Sequence, residues 1–181
     1  ALLTMAFELC ARANAEHNLD AARQVQLIRE LAVGSGNLGM VGGQVLDIQA
    51  ENKDIDLATL QSIHKHKTGM LIRAAVRMGA ITAGATPAQL DDLTFYAEQI
   101  GLAFQIADDV LNVTGTREEL GKNPNTDAQR GKKTYPTFYG VEGAKQLAEE
   151  CVTRANDRLA SFGSKADPLR ELARYTTSRK N

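Results

Sequence analysis

The sequence predicts an all-α protein, a bundle of long helices, and three observations carry that prediction. No segment alternates apolar and polar residues with the period of a strand. Two consecutive stretches, Asp56 to Ala83 and Pro87 to about Thr114, place apolar residues at helical spacing between a start signal and a glycine. Each is about 28 residues, or ~42 Å at 1.5 Å per residue, a length that suits a large bundle better than a small compact one.

Taken in order, residues 1–14 read as a first helix. Residues from about 20 to 50 form a second helical region broken by glycines. Asp56 caps the first long helix and Gly84 ends it. Thr86 caps the second, with Pro87 in its first turn and Gly115 at its end. Residues 116–133 form a polar, basic loop. Another helix begins near Thr134, and Gly140 and Gly143 separate it from one over about 142–161. Asp167-Pro168 caps a last helix to about Ser178. The first residues are helical without any preceding cap, which leads us to expect the C-terminal portion of a longer single domain.

The 181 residues suffice for one domain with a sizeable core. A net charge of −1 gives no field that would draw nucleic acid or an anionic membrane. No run of 18 or more apolar residues is present, so no transmembrane segment is expected. Cys10 and Cys151 are isolated, which argues against a disulfide scaffold and for a reducing, cytoplasmic setting.

Asp108 stands out. Helical spacing back from it gives Phe104, Ile100 or Gly101, Ala97 and Leu93, an apolar stripe in which Asp108 takes the place of a leucine. A buried carboxylate is costly unless it is paired or holds a metal. Asn112 lies one turn on and Asp109 beside it, a patch of oxygen ligands that suits Mg²⁺. Asp91-Asp92 serves as a control: it follows the cap of the same helix, where the dipole favours negative charge. Lys67 repeats the anomaly, interrupting the row Leu60, Ile63, Met70 or Leu71, Ala74, Met78 and Ile81. A lone lysine there would snorkel, but His64 and Thr68 flank it, so His-x-x-Lys-Thr points to an inward anion site. Arg73 and Arg77 read as a solvated face. Gly42-Gly43-Gln44-x-x-Asp47 is expected to aim Gln44 and Asp47 into the same cavity, and Gly36 and Gly39 to allow close helix packing. Gly34-Ser-Gly36-Asn-Leu-Gly39 matches a dinucleotide fingerprint, but helix rather than strand precedes it, which excludes that reading. Lys122, Lys132 and Lys133 in the basic loop could close over a polyanion, with Tyr135 and Phe138 packing its far edge.

In this order these motifs resemble the trans-isoprenyl diphosphate synthase (polyprenyl synthetase) family, its bacterial farnesyl diphosphate synthase (geranyltranstransferase) branch most of all. Gly-Gly-Gln44-x-x-Asp47 precedes His64-x-x-Lys67-Thr68. Gly101-Leu-Ala-Phe104-Gln105-Ile-x-Asp108-Asp109 precedes Leu120-Gly-Lys122 and Gly131-Lys132-x-Thr134-Tyr-Pro. The resemblance implies an isoprenoid-synthase-type helical bundle with a central cavity, usually a homodimer. It implies Mg²⁺-assisted condensation of an allylic diphosphate with isopentenyl diphosphate, the protein supplying charge stabilisation and a dry tunnel. By the same match Asp108, Asp109 and Asn112 would hold metal, and Lys67, Lys122 and Lys132 the allylic diphosphate. Thr68, Phe104 and Gln105 would line the reacting end, with Gln44 and Asp47 nearby. Two departures stand out: Asn112 occupies the position of the motif's last aspartate, and the family's first aspartate-rich motif is absent from the chain. The competing expectation is a non-catalytic helical subunit of a heteromeric synthase.

Overall fold

A computed structural model describes residues 1–17, 19–115 and 131–179, and among them every regular element is helical. The helices are α1 (Leu2–His17), α2 (Ala21–Ser35), α3 (Met40–Ala50), α4 (Leu57–His64), α5 (Met70–Thr82), α6 (Pro87–Thr114), α7 (Tyr135–Arg158) and α8 (Asp167–Ser178). A five-residue π turn, Lys65–Gly69, joins α4 to α5 without interrupting the helix. A 3-10 segment, Ala160–Ala166, precedes α8.

The expected start signals are in place. Asp56 accepts the Thr59 N–H at 2.8 Å. Thr86 and Gln89 exchange side-chain hydrogen bonds with each other's backbone N–H, at 3.3 and 2.9 Å, in a capping box. Gly84 takes φ +73°, the left-handed cap that a side chain would strain. Gly140, at φ +69°, puts a kink in α7 where a break between two helices is expected. Asp167 is one position off: it is the first residue of α8 rather than its cap.

Helix α6 is the axis of the bundle, buried between α5 and α7. The main core gathers Leu93, Tyr96, Ile100, Ala103, Ile106 and Val110 of α6 with Ala144, Ala148, Cys151 and Ala155 of α7. The fully buried Tyr96 ties α6 to α8 by donating its hydroxyl to Leu169 O at 2.7 Å. A smaller core joins Cys10 of α1 to Leu27 and Leu31 of α2 and Ile81 of α5.

Because α6 is covered on two sides, its buried surface is wider than one stripe. That surface includes Asp109 and Asn112, whereas Asp108 lies at its edge with half its side chain exposed. Arg77 is not solvated as expected. It makes two hydrogen bonds to Glu30, at 2.9 and 2.8 Å, and one to Thr94 at 2.7 Å, linking α2, α5 and α6. Arg73 faces Glu98 at 3.3 Å. Gly36 and Gly39 form the tight turn between α2 and α3, where an added Cβ would strike carbonyls of the last turn of α2. The close helix approaches belong to other glycines. A Cβ on Gly34 would lie 2.6 Å from that of Ala74, and one on Gly43 would lie 2.0 Å from the backbone nitrogen of Lys67.

Candidate active site

Three short-range features build a polar cleft beside α6. First, α3 presents Asp47 one turn after Gly43. Second, the π turn carries Lys67; such turns insert a residue into a helix and recur at functional sites. Third, the residues just before α7 carry Lys132 and Lys133. The missing side chain of Gly43 lets α3 touch the π turn, and Asp47 then receives Lys67 Nζ at 2.7 Å. Lys132 Nζ reaches both oxygens of the same carboxylate, at 2.8 and 2.7 Å, and lies 3.6 Å from Glu51. Burial alone would raise the pKa of Asp47, but hydrogen bonds from Lys132 and Lys67 outweigh it and the pKa is lowered.

The cleft encloses about 100 Å³, and Gln105, Asp108 and Asp109 of α6 form its other wall. His64 is buried, stacks on Tyr135 at 5.5 Å between ring centroids, and has Nε2 3.8 Å from Asp109 Oδ2. Burial lowers its pKa to about 4, so it is neutral at physiological pH. Asp109 accepts the backbone N–H of Tyr135 at 2.9 Å.

Asp47, Lys67, Gln105, Asp108, Asp109 and Lys132 therefore converge as expected. Four others, Gln44, Thr68, Phe104 and the buried Asn112, do not line the cleft. Gln44 and Thr68 line an adjoining, mostly apolar groove with Met40, Val41, Val45 and Lys67. Gln44 is a residue past the line of Gly43 and so about 100° further round α3. Phe104 lies under the Arg179 guanidinium, 4.1 Å from its ring centroid, and Arg179 approaches Asp108 at 3.7 Å. Lys122 and most of the basic loop lie outside the described residues.

The lining is formally balanced: Lys67, Lys132 and Lys133 against Asp47, Asp108 and Asp109. A diphosphate would enter with no net positive charge to meet it, so its binding calls for a cation. The donors fit Mg²⁺, which usually takes one or two carboxylates and fills its shell with water and phosphate oxygens. Asp108 is the exposed carboxylate at the mouth. Asp109 and Asn112, expected to join it, are 7% and 3% exposed, and Asp109 already serves Tyr135. No group of three or more acidic, histidine or cysteine side chains able to hold a metal occurs among the described residues.

A family model described as polyprenyl synthetase matches residues 1–164. The chain belongs to that family. The polyprenyl synthetase chain is 44% identical to the farnesyl diphosphate synthase of Escherichia coli (strain K12), over 99% of this chain and 61% of that protein. It is 43% identical to the geranylgeranyl diphosphate synthase of Cyanophora paradoxa, over 100% of this chain and 60% of the other. Among solved structures, the FPP/GFPP synthase of Zymomonas mobilis superposes with a TM-score of 0.81 at 37% identity, covering 96% of this chain and 57% of that one. The geranyltransferase of Helicobacter pylori, complexed with magnesium and isoprenyl diphosphate, gives 0.75 at 31%, covering 97% and 56%. This chain thus spans between about half and three-fifths of the length of the relatives it matches. Among the described residues no helix is long and apolar enough to cross a membrane.

Proposed function

We propose that in the complete protein this cleft binds the diphosphate of an allylic donor and promotes transfer of its prenyl group to isopentenyl diphosphate, with farnesyl diphosphate as product. The convergence of Lys67, Lys132 and Asp108, each from a different element, on one cleft carries this reading. Asp108 would hold Mg²⁺, which would supply charge to offset a departing pyrophosphate. Asp47 holds two ammonium groups side by side before any ligand arrives, so the lysines need little reorganisation to face an anion. Gln105 presents a polar amide to the same space. The groove of Met40, Val41 and Val45 begins at Lys67 and supplies apolar walls for a hydrocarbon chain. The farnesyl and geranylgeranyl diphosphate synthases among the relatives support a prenyl diphosphate product. Retention of Asp108, Lys67 and Lys132 together favours an enzyme over a non-catalytic partner subunit.

Incorporation of radiolabelled isopentenyl diphosphate by the complete protein tests the reading. Mg²⁺-dependent product is expected from the wild type. An Asp108→Ala variant that retains the wild-type rate would remove its basis.

A further inference from the structure

The first turn of α7 has one donor without a local partner. Helix N-termini leave their first N–H groups unsatisfied. Pro136, the second residue of α7, has no N–H, and the Thr137 N–H donates to Thr134 O at 2.9 Å. The cap residue Thr134 spends its hydroxyl on Thr137 Oγ1, 3.2 Å away. That leaves the N–H of Tyr135, the fully buried first residue of α7, and Asp109 of α6 accepts it at 2.9 Å. A carboxylate here also meets the positive end of the helix dipole. Three residues upstream of Tyr135, Lys132 reaches Asp47. We infer that Asp109 is a positioning residue: by holding the Tyr135 N–H it anchors the segment that places Lys132 in the cleft, and it is not a metal ligand. This rests on the diphosphate-binding reading of the cleft.

Two measurements separate the inference from that reading: hydrogen exchange at the Tyr135 amide, and titration of the protein with inorganic pyrophosphate over a range of Mg²⁺ concentrations. Asp109→Ala should speed Tyr135 exchange at least tenfold and weaken Mg²⁺-pyrophosphate binding at least fivefold. Added to Lys132→Met, it should weaken binding no further. Asp109→Asn keeps a carbonyl acceptor and should leave Tyr135 exchange within threefold of wild type, and it should raise the Mg²⁺ requirement far less than Asp108→Asn, which should raise it at least tenfold. An Asp109→Asn variant whose Mg²⁺ requirement rises as far as that of Asp108→Asn overturns the inference, as does unchanged Tyr135 exchange in Asp109→Ala. If Asp109→Ala does not fold, Asp109→Asn decides by the same two limits. Failure of the wild type to bind pyrophosphate would count against the functional reading alone, because the exchange experiment still decides the tether.

Discussion

Replacing Asp108 by alanine in the complete protein should lower turnover at least about a hundredfold, the loss typical when a charge-stabilising group is removed from an active site. Steady-state rates at saturating Mg²⁺ check this. His64 gives a prediction of another kind. Its folded pKa is about 4 against 6.5 for the free side chain, burial being the main cause, and Asp47, Lys67, Lys132 and Asp109 surround it. The unfolded chain takes up this proton near pH 6.5 and the folded chain only near pH 4. Its stabilising contribution is therefore complete above pH 6.5 and is lost as pH falls through that window, by on the order of 3 kcal/mol. Thermal melts from pH 7 to 4 should show that loss, and His64→Gln should flatten it. Asp108 and Lys67 were legible in the sequence because each breaks an apolar row. Which of Asp108 and Asp109 is buried was not, since adjacent residues on a helix differ by about 100° and only packing against α7 decides it. Arg179 left no signal at all: a basic pair, Arg179-Lys180, at the end of the sequence reads as solvated.

At the level of elements, the cleft depends on how closely α3 approaches the π turn. Gly43→Ala would place a methyl group 2.0 Å from the Lys67 nitrogen and 2.5 Å from its Cα, so α3 must move away. The expected cost is about 1–3 kcal/mol, the usual range for overpacking. Pyrophosphate affinity should fall as well, because Asp47 moves with α3. Denaturant titration and calorimetry test the two parts separately. The long helices were readable from their caps: Asp56, Thr86-Pro87 and Gly84 all act as their chemistry predicts. The π turn was not, because an inserted residue leaves no mark on composition and only shifts the phase of the apolar rows on either side of it. Gly69 of that turn lies against α6, where a Cβ on Gly101 would come within 3.2 Å of its Cα, a contact between helices that spacing along one chain cannot show.

For the molecule as a whole, α1 to α3 expose Leu2, Met5, Leu9, Val25, Val41, Val45 and Ile48, each about half exposed or more. Apolar surface on this scale marks an interface. The 181-residue chain purified alone should therefore self-associate and bind an apolar dye, which sedimentation and fluorescence can measure. It should also fail to condense allylic and isopentenyl diphosphates, since it carries only one aspartate-rich motif; robust product from it would show that the site lies elsewhere. Class and helix order followed from periodicity. The way α6 becomes the axis, covered by both α5 and α7, did not, because an amphipathic pattern tells which face is buried and not how many neighbours share it.

We propose that Asp108, with Lys67 and Lys132 opposite, forms a metal-diphosphate site. Anomalous diffraction from crystals of the complete protein grown with Mn²⁺ in place of Mg²⁺ and with an allylic diphosphate tests it most directly. The expected result is a manganese peak bound to an Asp108 carboxylate oxygen, diphosphate oxygens against Lys67 and Lys132, and Asp109 still accepting the Tyr135 N–H. Manganese bound directly to Asp109, or a diphosphate seated away from both lysines, would contradict it.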